Sequence, residues 1–97
     1  MATTVLIRMP PDAAQIYDSI NEQMGVSQDN VPDGLIHHYA TKSSDEFVIF
    51  DVWRSREDFE RFSSEKLGPA LEKVSGGSAA GGEPTFGELH NEFTGGS

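Results

Sequence analysis

The segment Phe47 to Trp53, FVIFDVW, leaves this chain few ways to fold. An unbroken run of β-branched and aromatic residues between polar stretches reads as a strand. Side chains alternate along a strand, so Phe47, Ile49, Asp51 and Trp53 share one face while Val48, Phe50 and Val52 share the other. Both faces are rich in apolar residues, so both require cover. A layer of helices can cover one; the other calls for a second sheet.

The flanking segments supply the helices. Thr4 to Met9 (TVLIRM) reads as a strand stopped by Pro10-Pro11. Asp12 and Gln15 have capping-box spacing, and Ala13, Ile16, Tyr17, Ile20 and Met24 then recur at helical intervals up to a Gly25 C-cap. Pro32-Asp33-Gly34 marks a turn into a strand from Leu35 to Ala40, which a polar turn over Thr41 to Glu46 joins to FVIFDVW as an antiparallel hairpin. Ser55 and Asp58 form a second capping box, opening a helix with Phe59, Phe62 and Leu67 on one stripe. Gly68-Pro69 is expected to kink or break it, with Ala70, Leu71 and Val74 continuing beyond. Residues 75–84 read as a flexible glycine-rich loop, Thr85 to Phe93 as a fourth strand, and 94–97 as a loose tail.

Strand, helix, strand, strand, helix, strand within 97 residues is the ferredoxin-like pattern. The expected fold is a single α+β domain, with an antiparallel four-stranded sheet and two helices on one face. The bare face then predicts a homodimer about a two-fold axis.

Charge and composition exclude several functions. Sixteen acidic residues against seven basic ones give a net charge of -9, which repels nucleic acid and anionic membranes. The absence of cysteine removes disulfides, thiolate nucleophiles and thiolate metal sites. The opening MATTVLIRMPPD has no basic n-region and too short an apolar run for a signal or span, so a cytoplasmic location is expected. No phosphate-binding glycine loop and no nucleophile elbow is present.

PDGLIHHYA, FVIFDVWRSREDFERF, LGPALEKV and ELHNEF together resemble the dimeric α+β barrel superfamily, specifically the short antibiotic-biosynthesis-monooxygenase-like proteins. The resemblance runs from Thr4 to Phe93. It implies a dimeric barrel that binds small molecules. Its members include cofactor-independent oxygenases acting on polycyclic phenols, polyketide cyclases, lactone isomerases and haem-degrading enzymes. The haem degraders use a strand tryptophan and a second-helix histidine; Trp53 can stand for the first, but Ser55 to Val74 holds no histidine. The cofactor expectation is therefore none.

His37 and His38 are neighbours on a strand, so their side chains leave opposite faces and cannot work as a pair. By parity, one shares a face with Ile36 and Ala40, the other with Leu35 and Tyr39. His38 matches a position where the resembling proteins often carry a histidine, as does His90. An imidazole beside an apolar cavity is a candidate general base, and His38 and His90 from different chains of a dimer could meet there. Tyr17, Tyr39, Phe50, Trp53 and Phe62 are candidate walls for an aromatic substrate, or else ordinary core. Asp51, a carboxylate in an apolar strand, needs a partner, for which Arg8 and Arg54 are the candidates. The spacing of the three histidines fits no metal motif. The expected activity is that of a cofactor-independent monooxygenase, cyclase or isomerase on an aromatic or polyketide-like metabolite; the alternative is a non-catalytic ligand-binding or interaction module.

Overall fold

The computed structural model describes residues 2–75 and 83–95. Their order is β1 (Thr3–Met9), α1 (Ala13–Met24), β2 (Leu35–Lys42), β3 (Phe47–Trp53), α2 (Arg56–Phe62), a π-helical turn (Ser63–Leu67), α3 (Gly68–Ser75) and β4 (Thr85–Glu88). The strands form one antiparallel sheet in the order β2-β3-β1-β4, the ferredoxin-like α+β arrangement expected from the sequence. Among the described residues, no helix is long and apolar enough to cross a membrane. Most of the predicted glycine-rich loop (76–82) and the last two residues of the predicted tail lie outside the described residues.

Helix entry differs at the two predicted capping boxes. Ser55 caps α2 as expected, its hydroxyl accepting from the Asp58 N–H at 3.2 Å. Asp12 makes no side-chain cap. The chain instead turns on backbone bonds, from Ala13 N–H to the Pro10 carbonyl and from Ala14 N–H to the Pro11 carbonyl. At the other end of α1, Gly25 takes φ +71°, and the Val26 N–H reaches back to the Asn21 carbonyl, the Schellman closure that a residue without Cβ permits. Gly68-Pro69 does not break the second helix. Proline lacks an N–H and crowds the carbonyl four residues back, and the helix widens by a π-helical turn just before it.

The faces of the sheet are unequal. Val5, Asp51 and Trp53 point to the helices, where Val5, Trp53 and Phe59 form the core with Ile7, Leu35, Phe62 and Phe86 against it. On the other face Ile36, Tyr39 and Phe50 are exposed, Tyr39 by 58%. Val52 lies on this open face yet is only 2% exposed. The chain beyond β4 crosses to the opposite edge strand, where Glu92 pairs at 2.9 Å with His37, the residue opposite Val52.

Two strand boundaries depart from expectation. β4 stops at Glu88 rather than Phe93, because its ladder partner β1 begins at Thr3 and the last bond joins the Leu89 N–H to the Ala2 carbonyl. β2 runs two residues further than predicted, since the Ser43 hydroxyl accepts from the N–H groups of Asp45 and Glu46 and closes the hairpin tightly over 43–46. A bulge between Leu35 and His37 then overturns the simple parity along β2. Leu35 returns to the helix face opposite Trp53, and Ile36 is left exposed.

Asp58 ties this end of the domain together. It accepts from Arg54 at 2.9 and 3.1 Å, from Arg61 at 2.9 Å and from the Ser55 hydroxyl at 3.0 Å. The Arg54 hydrogen bonds lead in lowering its carboxyl from 3.8 to about 2, against the opposing effect of burial. A depressed carboxyl contributes stability that is complete above its unfolded value and is lost as pH falls through the folded one. Asp58→Asn is thus expected to lower the melting temperature at neutral pH, with the gap to wild type closing between about pH 4 and pH 2. Thermal melts across that range check it.

Candidate active site

A cavity of about 670 Å3 lies between the helix layer and the helix-facing side of the sheet. Ile7, Ile16, Ile20, Phe62, Leu67 and Leu71 give it a mainly apolar wall. Size and lining are those of a small-molecule site. Among its described lining residues there is no lysine, arginine or glutamate.

One polar chain of side chains runs along this wall. The 43–46 turn sets the hairpin register so that His38, in mid β2, lies directly opposite Asp51, in mid β3. Residues opposite one another share a face, and the His38 Nδ1 meets the Asp51 Oδ1 at 2.5 Å. Asp51 also accepts from the Trp53 Nε1–H at 3.1 Å, two residues along the same strand. From above, α1 brings Tyr17, whose Oη meets the His38 Nε2 at 2.5 Å. The two rings lie nearly parallel, with centroids 5.8 Å apart, and Phe47 packs edge-on against Tyr17.

Proton positions follow from the partners. Burial raises the Tyr17 phenol above its ordinary value; a side-chain hydrogen bond from Asn21 opposes this, and the negative charges of Asp51 and Asp18 add to it. Tyr17 therefore keeps its proton at neutral pH, and in the tautomer that suits these partners it donates to His38 Nε2. The other ring nitrogen then carries hydrogen, and Nδ1–H donates to Asp51. Asp51, 6% exposed, has a donor on each oxygen and is an aligned acceptor rather than an orphan charge.

Several sequence expectations need correction. Asp51 pairs with neither predicted arginine: Arg8, three residues after Val5, falls on the open face and binds Glu46, while Arg54 binds Asp58. Phe50, opposite Tyr39, faces away from the cavity. Tyr39 borders the cavity from its edge strand, but its ring stacks on His37 at 6.1 Å on the open face. Trp53 and Phe62 line the cavity and Trp53 is also core, 1% exposed. His90 lies on exposed chain past the end of β4 and is not among the lining residues. Asn21 is a polar lining residue the sequence did not single out. Among the described residues, no group of three or more histidine, aspartate or glutamate side chains is placed to hold a metal ion.

No protein-family model and no curated protein sequence matches the chain. Solved structures do. An antibiotic-biosynthesis-monooxygenase-type protein of Chloroflexus aurantiacus superposes with a TM-score of 0.68 at 16% identity, over 97% of this chain and 98% of that one. Rv0793 of Mycobacterium tuberculosis gives 0.66 at 19% identity, over 97% and 100%. A variant of SnoaB, a cofactor-independent oxygenase from Streptomyces nogalater, gives 0.65 at 12% identity, over 94% and 95%. The chain thus has the fold of the antibiotic-biosynthesis-monooxygenase-like proteins, the one its sequence resembled.

Proposed function

We propose that this chain is a cofactor-independent enzyme that takes a neutral aromatic or polyketide-like molecule into the cavity and removes one of its protons. The observation that carries this reading is the hydrogen-bonded run Tyr17, His38, Asp51, Trp53 on the wall of a large apolar cavity. Oxygenation, cyclization and isomerization of such molecules share a first step, loss of a proton to give an enolate or phenolate. An imidazole whose far nitrogen is held by a carboxylate is suited to that step, because the carboxylate orients the ring and stabilises the imidazolium that forms. SnoaB, of the same fold, supports a chemistry that needs no bound cofactor.

A purely structural module would more naturally have filled this space, and a binding module has no need of an imidazole held between a carboxylate and a phenol, as His38 is. The exposed Ile36, Tyr39 and Phe50 support packing of the open face against a second copy. His90 has no part in this proposal, since both nitrogens of His38 have partners within one chain.

Trp53 is the only tryptophan, and it lines the cavity. Titration with anthrone, a neutral tricyclic ketone with an acidic central methylene, is expected to change tryptophan fluorescence saturably, at one molecule per chain. A response that never saturates contradicts the proposal.

A further inference from the structure

His38 offers a substrate no vacant nitrogen. Its Nδ1 faces Asp51 and its Nε2 faces Tyr17, each at 2.5 Å. Tyr17 lines the cavity beside His38, and its oxygen can still accept while it donates to Nε2. A phenol that donates once keeps two lone pairs, which leaves acceptor capacity for a ligand. Resting on the reading above, we propose that Tyr17 is the catalytic residue that exchanges the proton with the substrate, and that His38 receives it through Tyr17.

The step balances without an oxidant. The substrate C–H bond breaks and its proton bonds to the Tyr17 oxygen, while the proton already on that oxygen passes to His38 Nε2. The electron pair stays on the substrate as an enolate. Asp51 faces the new imidazolium at Nδ1, so the positive charge forms between two negative ones. Reversal of the two transfers returns a proton to the product. Burial keeps Tyr17 protonated at rest, as a relay requires, rather than as a standing phenolate.

Charge sets the substrate class. With no lysine or arginine among the described lining residues, a carboxylate or phosphate would enter without a counter-ion. A molecule that is neutral on entry and becomes anionic only as the imidazolium forms avoids this penalty.

The test is hydrogen–deuterium exchange at the central methylene of anthrone, in deuterated buffer without oxygen, followed by proton NMR. Wild type is expected to accelerate exchange over buffer, and Tyr17→Phe to lose about 100-fold or more of that acceleration while still binding anthrone by Trp53 fluorescence. Exchange by Tyr17→Phe at the wild-type rate would overturn the proposal and leave the proposed function standing, with His38 taking the proton directly. Loss of binding together with exchange would also overturn it, assigning Tyr17 to the shape of the cavity. Wild type no faster than buffer would sink the proposed function itself.

Discussion

Replacing Trp53 with alanine is expected to remove a large share of the stability of the fold, about 3–5 kcal/mol. Trp53 is 1% exposed and packs on Phe59 and Phe62, with ring centroids 5.6 and 5.3 Å away. Removing such a side chain costs about 3–5 kcal/mol in transfer and cavity terms, against a total stability for a domain this size of about 5–15 kcal/mol. The indole has a second role, since its N–H satisfies one oxygen of buried Asp51. Trp53→Phe keeps most of the packing and loses that donor, so its expected cost is smaller, about 1–3 kcal/mol. Denaturant unfolding followed by circular dichroism separates the two variants. A Trp53→Ala midpoint close to wild type would mean that the core does not depend on this side chain.

Much of the fold was legible because strong local signals agreed with it. FVIFDVW, the Gly25 stop and the Ser55 cap each have a one-residue physical cause, and they place β3, the end of α1 and the start of α2. The site was less legible, for a reason of register. A turn spread over Thr41 to Glu46 sets Ala40 opposite Phe47, and Asp51 then faces Ile36. In that register the carboxylate has no polar neighbour across the hairpin, and an arginine is the natural partner to seek. The tighter turn at Ser43 moves the pairing by two residues and brings His38 opposite Asp51. Ser43 was the available signal, since a serine hydroxyl can fold onto the N–H groups just after it. The face exchange of Leu35 and Ile36 was hidden in the same way, because a bulge leaves no mark in an apolar pair. Tyr17 stood on the expected apolar stripe of α1; its meeting with His38 depends on how α1 lies across the sheet, which periodicity does not encode.

The larger functional effect is expected at His38. In either order of transfer, through Tyr17 or directly, the imidazole is where the proton comes to rest and where Asp51 stabilises its charge. His38→Ala removes that acceptor while the apolar walls and Trp53 remain, so binding is expected to persist and proton removal to fail. Loss of a positioned acid–base group lowers rates by about 100- to 10,000-fold. Asp51 would keep its Trp53 donor, which limits the structural cost. The most direct measurement is therefore the rate of methylene exchange in anthrone, without oxygen, for wild type and His38→Ala side by side. The expected result is acceleration by wild type and a variant that binds anthrone yet exchanges it at nearly the buffer rate. A His38→Ala protein that exchanges anthrone as fast as wild type would contradict a proton-moving role for this site.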